Sequence, residues 1–136
     1  MFFIDDKIDT GQLILQESTQ ISPIENAGSL HDKLMHLGSE IVLKTVKLIE
    51  SGPIKSMPQT NPDDLKTAYK LNKDNCQINW NDSLQNIYNK IRGLSPYPGA
   101  WSLLINGDEQ LNVKIYKCDK EIILTDNHIK NRWITS

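Results

Sequence analysis

Ser29-Leu30-His31-Asp32-Lys33-Leu34-Met35-His36-Leu37, continuing through Ile41, Val42, Val46, Leu48 and Ile49 to Glu50-Ser51-Gly52-Pro53, is the stretch on which the organisation of this chain turns. Leu30, Leu34, Leu37, Ile41 and Leu48, with Val42, Val46 and Ile49, recur at helical spacing, which predicts a long amphipathic helix over residues 30–50. Ser29 followed three residues later by Asp32 resembles a capping box at its start. Gly52 tolerates the left-handed conformation and Pro53 cannot continue the hydrogen bonding, so the helix stops there.

Upstream, the apolar runs Phe2-Phe3-Ile4 and Leu13-Ile14-Leu15 predict two buried strands joined by a polar loop, and residues 17–28 read as an extended piece and a turn. Downstream, Pro53, Pro58 and Pro62 among Ser, Gln, Thr and Asn predict an extended, non-packing connection over residues 53–64 and a domain boundary. Leu84, Ile87, Tyr88 and Ile91 then predict a shorter helix, with Asn81 or Asp82 as its cap and Gly93 as its stop. The turn at Ser95-Pro96-Tyr97-Pro98-Gly99 leads into runs at 101–105 and 110–116 around Asn106-Gly107, a hairpin signal. Ile122-Ile123-Leu124 and Trp133-Ile134 extend an antiparallel meander, and its ending without a polar tail suggests a truncated domain.

At 136 residues the chain is one domain's worth, and 38% hydrophobic with 7% aromatic residues implies a modest core. The net charge of −2 gives no overall reason to expect nucleic-acid or membrane binding. It is unevenly spread, however: residues 1–28, 29–64 and 65–136 carry −4, −1 and +3. No run approaches a membrane span, and Phe2-Phe3-Ile4 meets Asp5-Asp6 at once, so the chain reads as cytoplasmic, with no membrane partner. Cys76 and Cys118 lack a CxxC context and read as reduced, small core fillers.

Ile8-Asp9-Thr10-Gly11 is the one short motif that invites a catalytic reading. A carboxylate held at a strand end by a small turn can act as a general base or orient one; equally, such an Asp can bond the backbone of the turn it opens. A homodimeric aspartic protease carries one Asp-Thr-Gly per protomer. Here Gln12 stands where that family has Ala or Ser, and the long helix does not suit an all-β protease. His31 and His36 are five apart and His128 is remote, so no metal site is expected. Lys70, Lys73, Lys90, Arg92 and Tyr97 suit a nucleic-acid surface, or else a solvated helix face with packing beside the prolines. Trp80, Trp101 and Trp133 read as core residues.

Six ordered segments carry a resemblance. They are 3–16 with Asp9-Thr10-Gly11, 28–34, Ala68-Tyr69-Lys70-Leu71, Ile78-Asn79-Trp80, Ile91-Arg92-Gly93-Leu94-Ser95-Pro96-Tyr97-Pro98, and Ala100-Trp101. Together they resemble the methionyl-tRNA formyltransferases. The resemblance implies an α/β fold, the last strands and helix of a Rossmann-like catalytic domain, over 1–52. A linker over 53–70 and part of an OB-like open β-barrel over 71–136 would follow. It also implies transfer of a formyl group from 10-formyltetrahydrofolate to methionyl initiator tRNA in translation initiation, without a metal. Asp9 matches the family's catalytic carboxylate, Thr10 and Gly11 its substrate loop, and Lys90 and Arg92 are candidate tRNA contacts. The family's catalytic Asn and His and its folate loop would lie upstream, so this chain alone is expected to be inactive. A non-catalytic tRNA-binding or structural module is the alternative reading.

Overall fold

The computed structural model describes residues 1–7, 10–59, 66–125 and 128–134, with side chains described as far as Glu121. Among the described residues two helices, α1 (Ala27–Glu50) and α2 (Leu84–Leu94), precede four strands, β1 (Ala100–Asn106), β2 (Glu109–Ile115), β3 (Asp119–Thr125) and β4 (His128–Ile134). The chain divides into two compact units. One comprises Met1–Ile21 with His31–Ala68, the other Ser22–Leu30 with Tyr69–Ser136.

α1, whose residues from His31 onward lie in the first unit, is the helix that the apolar spacing predicts. Its start lies three residues earlier than the Ser29–Asp32 box implies. Asn26 and Ser29 form the reciprocal pair instead: the Ser29 N–H donates to Asn26 Oδ1 (2.9 Å) and the Asn26 N–H to Ser29 Oγ (3.2 Å). Both orphan donors are thereby satisfied one turn upstream, and Ala27 and Gly28 become helical. Thr45 alone is buried among α1's residues, its hydroxyl donating to Ile41 O (2.7 Å), while Leu34, Met35, Val42, Leu43 and Val46 are exposed.

The expected buried strands 2–4 and 13–15 reduce to single bridges, Phe2 to Leu13 and Leu13 to Met57. Ile4 is 92% exposed and Phe2 and Phe3 are nearly half exposed. A strand needs a ladder and a covered face, and single pairs supply neither. Residues 53–64, read as non-packing, are held where described: Leu13 and Met57 exchange both backbone bonds (2.7 and 2.9 Å).

The second unit holds the core. Ile87, Ile91 and Leu94 of α2 pack with Cys76, Ile78, Ala100 and Cys118, flanked by Tyr88, Trp101 and Ile115. The cap of α2 is Ser83, whose Oγ accepts the Asn86 N–H (3.2 Å), rather than Asn81 or Asp82. Asp82 accepts instead from Asn86 Nδ2 (2.8 Å) and the Ser83 N–H (2.7 Å). Gly93 does not end α2, which runs on to bury Leu94 and stops at Ser95, before Pro96.

β1 and β2 pair antiparallel from Ala100–Ile115 to Asn106–Glu109, so the two-residue loop is Gly107-Asp108, one position beyond the expected Asn106-Gly107. Gly107 supplies the positive φ of +60° that such a loop requires. β3 and β4 form a second antiparallel pair, and the continuous meander resolves into two separate two-stranded sheets. Residues 76–78 bridge β1, with the Ile78 N–H on Trp101 O (2.8 Å) and the Trp101 N–H on Cys76 O (3.1 Å).

Candidate functional site

Ile8 and Asp9 lie outside the described residues, so the candidate catalytic carboxylate is approached through its neighbours. The hydroxyl of Thr10 donates to Asp5 Oδ1 (2.7 Å), which also accepts the Lys7 N–H (3.0 Å). These donors, Thr10 first and Lys7 second, hold the Asp5 carboxyl below its ordinary pKa. Asp5 was not singled out in the sequence, because a hydroxyl partner five residues away carries no local signature.

Gly11 is buried at the loop's other end, and a Cβ there would fall 1.5 Å from Phe3 O. Its own carbonyl accepts from Gln59 Nε2 (2.7 Å), and next to it the Phe3 N–H donates to Gln12 O (2.9 Å). Thr10 thus bonds back to Asp5, and Gly11 closes against Phe3.

Arg92 is turned into the second unit. Its Nη1 donates to Glu25 O (2.8 Å) and Ser22 O (3.4 Å) and its Nε to Asn89 Oδ1 (2.9 Å), while Tyr88 Oη reaches Pro23 O (3.3 Å). The Gly28 N–H completes this clasp on Ser95 O (3.1 Å). Lys90, on the same helix, is half-buried. A cavity of about 530 Å³ beside the clasp is lined by Tyr88, Arg92, Tyr116, Lys117, Cys118 and Asp119 among others. Lys120 Nζ sits 4.5 Å above the Tyr88 ring. Burial, and then the nearby Asp119, push the Cys118 thiol up from its ordinary pKa, which keeps it protonated and inert at neutral pH. Cys76 and Cys118 are both free and buried, as read from the sequence.

Trp80 departs from its reading as core: it is 43% exposed, donating from Nε1 to Ser102 Oγ (2.8 Å) at one side of a groove of about 630 Å³. Trp101 packs against the core and donates to Lys73 O (2.7 Å). The side chain of Trp133 lies outside those described. Among the described residues no cluster of His, Cys, Asp and Glu is placed to hold a metal ion, and no helix is long and apolar enough to cross a membrane.

Residues 70–129 match the family model for the C-terminal domain of formyl transferases. A methionyl-tRNA formyltransferase of Flavobacterium johnsoniae is 56% identical over 116 residues, covering 85% of this chain and 37% of that protein. The chain belongs to the methionyl-tRNA formyltransferase family. Other family members agree at lower identity. The Flavobacterium psychrophilum methionyl-tRNA formyltransferase is 49% identical over 125 residues, 92% of this chain and 40% of that protein. The Bacteroides fragilis protein of the same name is 44% identical over 123 residues, 88% and 38%. The chain therefore spans about two fifths of the length of the curated methionyl-tRNA formyltransferases it matches.

Proposed function

We propose that this chain serves the transfer of a formyl group from 10-formyltetrahydrofolate to the α-amine of methionine on initiator tRNA, in the cytoplasm. The observation that carries this reading is the 56% identity over 116 residues to a protein named for that activity. In this reading residues 1–52 are the end of a Rossmann-like catalytic domain, 53–70 a linker and 71–136 the beginning of an OB-like barrel that helps to hold tRNA. Of the two candidate RNA contacts, Lys90 and Arg92, Arg92 already donates from Nε and Nη1 to Asn89, Ser22 and Glu25.

The chemistry assigns distinct tasks. The methionyl amine attacks the formyl carbon, the carbonyl oxygen gains negative charge, and the nitrogen must lose a proton before the folate nitrogen departs. Asp9 is the proposed proton relay. Thr10 and Gly11 are the proposed substrate loop that follows it; the Thr10 hydroxyl donates to Asp5 Oδ1 and Gly11 is closed against Phe3 O.

The test is a hybrid enzyme in which residues 1–136 replace the matching part of the Flavobacterium johnsoniae relative. Formylation of methionyl initiator tRNA by the hybrid is the expected result. A folded hybrid that binds both substrates without transferring the formyl group would overturn the reading.

A further inference from the structure

A groove of about 310 Å³ in the second unit is lined by Asn72, Lys73, Tyr97, Trp101 and Lys114 among others. Tyr97 is 84% exposed although it lies between two prolines, Pro96 and Pro98, whose rings restrict the backbone that presents it. A large aromatic ring held out to water on a stiff turn contributes little to folding. It is suited to receiving a flat partner.

The cations beside it are placed as well. Lys73 Nζ stands 5.2 Å from the Trp101 ring centroid. Its loop is closed by reciprocal bonds between Asn72 and Asn75 (2.8 and 2.9 Å) and by Asn75 Nδ2 on Lys70 O (2.8 Å). Lys114 is exposed, and its Nζ donates to Pro98 O (2.8 Å), one of the three bonds an ammonium can give. No Asp or Glu is among the described residues lining the groove. An exposed ring that shares a groove with two lysines and no lining carboxylate matches the two parts of a nucleotide, a base to stack and a phosphate to neutralise. A paired base has both faces covered by its neighbours, so the match is to an unpaired one.

We propose that this groove binds single-stranded RNA, with an unpaired base stacked on Tyr97 and the flanking phosphates met by Lys73 and Lys114. The site rests on the tRNA reading above and adds to it a place and a mode of contact. The experiment uses the full 136-residue chain, a fluorescein-labelled octaadenylate and labelled initiator tRNA, with anisotropy read across a salt series. Tyr97→Ala is expected to weaken octaadenylate binding roughly 10–100-fold, the scale of one stacked base, while Tyr97→Phe binds as the unaltered chain does. Lys73→Gln and Lys114→Gln should each reduce the salt slope by about 0.7, the single-strand value per phosphate. Lys47→Gln on α1 should leave it unchanged.

Octaadenylate binding unaffected by Tyr97→Ala overturns the site. So does a chain that binds initiator tRNA with the same affinity whether or not Tyr97 is replaced. Formylation by the hybrid enzyme is measured separately, so loss of this site and loss of the formyl-transfer reading give different results.

Discussion

Gly11 shows how far a single position is dictated by a neighbour that local sequence does not reveal. With a Cβ 1.5 Å from Phe3 O, Gly11→Ala must part the loop from Phe3, and overpacking of this kind costs about 1–3 kcal/mol or more. Faster amide exchange at Phe3, whose N–H bonds Gln12 O, is the expected readout. Cys118 gives a second prediction at this scale. Its pKa is raised in the folded chain, so the unfolded chain loses the proton first as pH rises. The contribution of the buried thiol to stability is complete below the ordinary thiol pKa and declines above it, through the raised value. Urea midpoints that fall between pH 8 and 10 for the unaltered chain, and fall less for Cys118→Ala, would bear this out. Asp5 has the opposite sign: its lowered pKa means that its contacts favour the fold above the ordinary carboxylate range and are lost as pH falls through the depressed value. Thr10 and Gly11 were legible as a turn around a carboxylate. That their partners are Asp5 and Phe3 was not, because both contacts depend on how the loop returns on itself.

At the scale of elements, periodicity and turn chemistry were legible and their registers were not. The apolar spacing of α1 and α2 and the positive-φ glycine of the hairpin appear where the pattern puts them, give or take a few residues. The caps moved because several adjacent residues could serve. Asn26 competes with Ser29 at α1, and Ser83 with Asp82 at α2, and the residue whose side-chain oxygen accepts the N–H three residues on takes the position. Ser83→Ala is therefore expected to destabilise the second unit by about 1 kcal/mol, the usual value of an N-cap. Ile91, only 1% exposed at the centre of the core, should cost about 2–5 kcal/mol as Ile91→Ala. Thermal melts of the two variants would check both, and a larger loss for Ser83→Ala than for Ile91→Ala would contradict the placement of the core. Apolar runs were a poorer guide to burial. Phe2-Phe3-Ile4 and much of α1's apolar face remain exposed, since hydrophobic pattern records what a segment can bury and not whether a partner is present.

At the scale of the whole molecule, the family was legible from ordered motifs even where the fold of each motif was not, because motifs survive displacement of an element's ends and secondary structure does not. The same scale sets the expectation for activity. A single carboxylate can relay a proton, yet formyl transfer also needs the donor held against the amine, and well-oriented positioning is equivalent to about 10⁵–10⁸ M of reactant. The chain spans 37% of the length of the Flavobacterium johnsoniae relative, so the isolated 136 residues are expected to give no formylation above background. In the hybrid enzyme, Asp9→Asn should lower kcat by about 10²–10⁴, the usual scale for a group that moves a proton, because the amide keeps the shape of the carboxyl and loses its basicity. Thr10→Ala in the same hybrid should cost less, since its hydroxyl bonds the Asp5 carboxylate. Single-turnover rates with saturating tRNA separate the two. An Asp9→Asn hybrid as fast as the parent would remove Asp9 from the chemistry, and a Thr10→Ala hybrid slower than Asp9→Asn would show that the loop's shape matters more than its carboxylate.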